Sequence, residues 1–129
     1  MSYSVAQKGG ITPMEAGADL IIGQLVKMSG TTVVVCTASD EPIGAVTEGF
    51  LTGEDASIAF AGAVDGFVWL IADGVIALGA RVKPAAAGRV ASAGAAGSET
   101  GLLVARCAEA ATAQGELIKC ALLTPVTES

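Results

Sequence analysis

Apolar residues recur along the chain in short runs that are separated by turn-forming residues. The strand-sized runs cover 24–28, 31–38, 43–50, 56–62, 66–73, 80–84, 88–92, 102–110 and 116–124. A spacing of about ten residues between such runs is typical of small β-barrels and β-sandwiches. Ser29-Gly30, between the first two runs, predicts a two-residue hairpin. The pattern therefore predicts an all-β fold, either a small barrel or a sandwich.

The two halves of the chain resemble each other. "GQLVKMSGTTVVV" (23–35) aligns with "GARVKPAAAGRVA" (79–91), and "IGAVTEGFLTGEDASIAFA" (43–61) aligns with a longer copy at 102–122. We predict one domain, 20–129, built of similar halves at about 20–65 and 75–124. A half of this size is marginal alone, so the two would share one core. Chance similarity between β-hairpins is the alternative explanation.

The first nineteen residues have neither the helical nor the strand period. Gly9-Gly10 and Pro13 interrupt them, which predicts an extended arm over 1–19. The arm is too rich in glycine to pack well on its own domain, so it is either disordered or ordered by a neighbouring molecule. Its candidate interface residues are Ser2, Tyr3, Val5 and Ile11.

Two strand segments have unusual side chains. "IGAV" (43–46) has two residues that are nearly without side chain, which favours the close approach of another backbone. "GFVWLIADG" (66–74) contains the only tryptophan, Trp69. It is either a strand buried on both faces or a strand with one face in a subunit interface, where tryptophan is favoured.

Composition limits the classes of partner. The chain has 129 residues, the size of one domain, and a net charge of -6 with its seven basic residues scattered, which argues against direct nucleic-acid binding. Asp65 and Asp73 interrupt the most apolar region, 56–80, so no stretch reaches the roughly 20 residues of a membrane span. A basic leader segment is absent, and we expect synthesis in a cytoplasm.

The sequence offers no catalytic, cofactor or metal site. Histidine is absent, which removes Ser-His and Cys-His arrangements. The acidic pairs Asp40-Glu41 and Glu54-Asp55 fall in predicted turns, where such residues are common turn formers. The cysteines have no CxxC spacing and lie in apolar runs, so we expect reduced, buried thiols at Cys36, Cys107 and Cys120. The chain is therefore predicted not to be an enzyme.

The order of these segments resembles the capsid cement, or head decoration, proteins of tailed bacteriophages. The resemblance lies in a Gly-x-Leu-Val start in "GQLVKM", the strand "IGAV" after an acidic turn, a Gly-Ala-x-Val restart in "GARV", and the second small-residue strand in "TGLLVARCAEAA". It covers about 20–124, and 42–62 also resembles the lambda-type decoration protein. The arm does not match the pattern residue by residue.

The resemblance implies a structural protein with no cofactor. It would bind the major capsid protein on the outer surface of the expanded head, as a homo-oligomer with a trimer favoured. The alternatives from the residues alone are a tail or baseplate adaptor and a β-barrel module that binds a small ligand.

Overall fold

The computed structural model describes residues 11–61, 66–95 and 97–128, which form two five-stranded sheets. The first has the order β1-β5-β4-β2-β3, from β1 (Ile11–Glu15), β2 (Leu25–Ser29), β3 (Thr32–Val35), β4 (Gly44–Val46) and β5 (Asp55–Phe60). The second has the order β6-β10-β9-β7-β8, from β6 (Val68–Ile71), β7 (Arg81–Pro84), β8 (Val90–Ser92), β9 (Gly101–Cys107) and β10 (Leu117–Glu128). Neighbouring strands in both sheets are antiparallel. The all-β prediction is confirmed.

Each sheet curls until its two edge strands meet. A parallel bridge joins Ala16, just after β1, to Val33 of β3, and an equivalent bridge joins Ala72, just after β6, to Val90 of β8. The loops repeat as well, since Gly23 and Gly79 have φ angles of 90° and 82° at matching turns. The two halves are therefore similar in strand order, closure and turn geometry.

The N-terminal segment differs from the prediction. Residues Ile11–Glu15, which the sequence placed in an extended arm, form β1 and pair with β5 along its length. The strand forms because β5, a distant segment, supplies its hydrogen bonds, which the pattern within residues 1–19 does not reveal. The first sheet therefore includes the chain from Ile11 onward. Residues 1–10 lie outside the described residues.

Helical structure in the described residues is limited to one short turn. The segment between β9 and β10 has no helix, and its Ala111 forms an antiparallel bridge with Ile76. A short 3₁₀ turn occurs at Ala86–Gly88, in the alanine-rich loop between β7 and β8. Across the described ranges, no helix has both the length and the apolar character needed to cross a membrane.

The hydrophobic core joins the two halves. One cluster fills the first sheet and includes Val26, Val46 and Ile58. The other fills the second sheet but also contains Leu25 and Ala59 of the first sheet, which lie on the opposite face of their strands from the first cluster. Burial of first-half side chains in the second-half cluster explains how two small units share stability.

Gly44 in β4 lies where another backbone comes close. A Cβ atom added at this position would meet the backbone carbonyl group of Ala59 in β5, with the carbonyl carbon 2.9 Å away. Gly44 is buried, and protein interiors are closely packed, so little space is left for the neighbouring strand to move aside. The small residue in "IGAV" thus allows close backbone approach between strands.

Candidate protein-interaction surface

The outer face of β6 and β10 carries exposed aromatic and apolar side chains. Trp69 is 41% exposed, and Lys119 lies directly opposite it, with Nζ 5.6 Å from the ring centroid. Phe67, two positions before Trp69, is 63% exposed. Leu117, two positions before Lys119 on the same face of β10, is 42% exposed. We call Phe67, Trp69, Leu117 and Lys119 the Trp69 face.

This face is continuous with a loop from the first half. The backbone N–H of Ile71 donates to the carbonyl of Gly23 at 3.3 Å. A side chain at Gly23 would collide with Leu117, whose Cδ2 would lie 2.8 Å from the added Cβ, so the missing side chain lets Leu117 pack over the loop. Ile21, at the start of the same turn, is exposed. Both halves therefore contribute to one apolar surface.

The matching face of the first half is acidic. Glu15 of β1 lies directly opposite Asp55 of β5, and both side chains are exposed. The adjacent pair on the same face is Pro13 and Ser57. None of the salt bridges between described residues includes Glu15 or Asp55. Like charges opposite one another destabilise a strand pair. We call Pro13, Glu15, Asp55 and Ser57 the acidic face.

A buried carboxylate, Glu99, lies against β7 of the second sheet. Glu99 accepts hydrogen bonds from the backbone N–H of Arg81 at 2.8 Å and from the backbone N–H of Gly97 at 3.1 Å. The Arg81 guanidinium also contacts Glu99 at 3.3 Å and Glu128 at 3.6 Å. The backbone donor of Arg81 is the main cause that lowers the pKa of Glu99 to about 2. The arrangement fastens the β8–β9 loop onto β7.

The three thiols are buried, and none of them forms a disulfide. Cys107 and Cys120 face each other across β9 and β10, with their sulfur atoms 3.4 Å apart. The hydrogen bond between them lowers the pKa of Cys107 and raises that of Cys120. Burial raises the pKa of Cys36 to about 12, which keeps this thiol protonated. Buried thiols of this kind act as small hydrophobic side chains.

The described residues hold no group of three or more cysteine, aspartate or glutamate side chains that could bind a metal ion. Two of the carboxylates that the sequence placed in turns, Asp40 and Glu54, make local structural contacts. Asp40 accepts from the N–H of Thr37 at 2.8 Å and lies 2.9 Å from Lys27, and these contacts lower its pKa to about 2. Glu54 accepts from the N–H of Leu51 at 2.7 Å. Both therefore stabilise turns.

Of the predicted interface residues, the structure describes Trp69 and the backbone of Ile11. Trp69 lies on an exposed face, so β6 is not buried on both sides, although its role in an interface stays a prediction. Ile11 has a backbone position in β1, and Ser2, Tyr3 and Val5 lie outside the described residues. Leu117 and Lys119 were not predicted as interface residues from the sequence. Their alternation with Ile118 marked a common face, but only the pairing of β10 with β6 brings that face to Trp69.

The fold is similar to that of a solved phage protein. It matches the N base of head fiber gp8.5 of bacteriophage phi29, with a TM-score of 0.63 over 88% of this chain and 92% of that chain. The sequence identity is 12%, so the likeness is one of fold. No protein-family model and no curated protein matches the chain.

Proposed function

We propose that the chain is a capsid decoration, or cement, protein of a tailed bacteriophage. It would bind the major capsid protein on the outer surface of the expanded head and stabilise the shell against internal DNA pressure. The observation that carries this proposal is the fold likeness to the N base of the phi29 head fiber over most of both chains. The sequence resemblance to decoration proteins supports attachment to the outer surface of the head, after synthesis in the host cytoplasm.

The mechanism of stabilisation would be thermodynamic linkage. A protein that binds only the expanded lattice stabilises it by about 2.7 kcal/mol per site at a concentration one hundred times its Kd. Attachment through several linked subunits increases the occupancy at each site. A homo-oligomer, with a trimer favoured, would therefore hold neighbouring capsomers together without any chemical step.

Two surfaces are candidates for these contacts. The Trp69 face presents exposed aromatic and apolar side chains, which are enriched at protein interfaces. The N-terminal residues Ser2, Tyr3, Val5 and Ile11 precede or begin β1 and are proposed to contact the shell. In this arrangement the chain uses one surface for its own copies and its N-terminal segment for the capsid.

Co-sedimentation tests the proposal. Purified protein is mixed with expanded heads that lack it, with unexpanded procapsids and with tail tubes. We expect saturable retention on expanded heads alone, at a fixed ratio to the major capsid protein, and a higher temperature of DNA release. Retention on tail tubes alone would support an adaptor, and binding to heads without a change in DNA release would remove the stabilising role.

The N-terminal contact has its own variant. Tyr3→Ser combined with Val5→Ser should weaken head binding at least tenfold while leaving the melting temperature unchanged. Val75→Ser is the matched control, because Val75 is a 73% exposed apolar side chain in the loop after β6. If the control weakens binding and the double variant does not, the loop rather than the N-terminal segment contacts the head.

A further inference from the structure

We infer that the Trp69 face of one copy binds the acidic face of a second copy of this chain. The inference rests on the self-association proposed above and not on binding to a head. It assigns the contact to defined strands, β6 and β10 of one copy against β1 and β5 of the next.

The two faces occupy equivalent positions in the two halves. Ala16 donates its N–H to the carbonyl of Glu54, and Ala72 donates to the carbonyl of Glu116, both at 2.8 Å. The strand pair just before each alanine is Glu15–Asp55 in the first half and Ile71–Leu117 in the second. The same position is therefore anionic in one half and apolar in the other.

The neighbouring cross-strand pair on each face differs between the halves in a similar way. Pro13 and Ser57 of the first half correspond to Trp69 and Lys119 of the second. Arg106 of β9 is exposed on the same side of the second sheet, since it pairs with Ala121, two residues after Lys119. The second half thus offers Lys119 over an aromatic ring and Arg106 farther along the same side of the sheet, and the first half offers two carboxylates beside small side chains.

The net charge also differs between the halves, and the first half is the more acidic. Residues 11–61 contain seven acidic residues and one basic residue, a net charge of -6. Residues 66–128 contain five acidic and five basic residues, a net charge of zero. The Glu15–Asp55 repulsion is relieved when cations approach from outside, and a second copy brings Lys119 and Arg106 on an apolar surface. Complementary potentials of this kind set the orientation and register of an interface.

Equilibrium sedimentation of the full chain tests the contact in the absence of heads. We expect a reversible oligomer that weakens as salt rises, because salt shortens the distance over which exposed charges attract, to about 10 Å at 0.1 M ionic strength. Lys119→Glu and Asp55→Lys should each raise the dissociation constant at least tenfold. The double variant Lys119→Glu/Asp55→Lys restores opposite charges between copies and should regain most of the association.

The controls separate this contact from general effects of charge. Lys83→Glu, at an exposed position of β7, and Glu41→Lys, in the turn before β4, should associate like the parent. Melting curves of each variant exclude loss of the fold. A protein that stays monomeric at about 100 μM in low salt overturns the inference, as does a double variant no better than either single one. Monomers that still sediment with expanded heads would overturn only this inference, whereas oligomers that do not bind heads would overturn only the proposed function.

Discussion

At the residue scale, the carboxylate of Glu99 has the most demanding environment. It is 4% exposed, the most buried charged side chain in the described part of the molecule. It accepts hydrogen bonds from the backbone N–H groups of Arg81 and Gly97 and from the guanidinium of Arg81. Burial alone would favour the neutral acid, but the hydrogen bonds to the ionised form prevail and lower the pKa to about 2. Ionised Glu99 therefore stabilises the fold at neutral pH.

Glu99→Gln should lower the melting temperature at pH 7 and remove part of its dependence on acid. Because the pKa is lower in the folded state than the ordinary value of 4.5, the stabilisation is present above about pH 4.5 and is lost as the pH falls toward about 2. The difference between parent and variant should therefore shrink over this range in thermal melts monitored by circular dichroism. Glu48→Gln, at an exposed position, is the control, and a constant difference from pH 7 to pH 2 would contradict the assignment.

At the element scale, the packing of β4 against β5 depends on the absence of a side chain at one position. Gly44 pairs with Phe60 of β5 on one side and with Val26 of β2 on the other. The added Cβ would meet backbone, not the end of a flexible side chain. Relief would therefore require the strands to separate, which also breaks their hydrogen bonds.

Gly44→Ala should destabilise the protein by about 1–3 kcal/mol, the typical cost of overpacking a closed core. Gly74→Ala is the matched control, because nothing lies within 4 Å of a Cβ added at Gly74. Urea unfolding of both variants measures the difference. Equal midpoints for Gly44→Ala and the parent would show that β4 and β5 are not closely packed.

At the scale of the whole molecule, the two halves are coupled through side chains of the first sheet. Leu25 is completely buried and belongs to the cluster that fills the second sheet, together with Leu70 and Val82. The 3₁₀ turn adds to the junction, since the N–H of Gly88 donates to the carbonyl of Cys36 at 2.9 Å. Neither half can lose its structure without exposing apolar surface of the other.

Leu25→Ala should therefore destabilise both halves together by roughly 2–5 kcal/mol, the usual range for a buried leucine. Trp69, the only tryptophan, reports on the second half, while circular dichroism reports on all strands. Both signals should shift to the same lower midpoint, and Ile21→Ala, at an exposed position, should change neither. Two separate transitions, with the tryptophan midpoint unchanged, would show independent halves.

Local sequence determined the class of fold and most of the strands. Alternating short apolar runs and glycine turns are local properties, and nine of the ten strands fall on the runs they predict. The repeat was visible because matching turns need matching residues, as at Gly23 and Gly79. The missing strand, β1, contains Pro13 and has a weak pattern of its own, and it forms because β5 offers a free edge.

The surface was decided by pairing between distant segments. The sequence marked Trp69 as unusual but left open whether its strand was buried, since exposure depends on what packs against each face. Only the tertiary structure places Lys119 and Leu117 beside Trp69, and Glu15 opposite Asp55, by registers that join residues about 40 to 50 positions apart. Composition and local pattern thus determined a β protein of two similar halves, whereas long-range strand register decided which of its faces is apolar, which is acidic and which is buried between the halves.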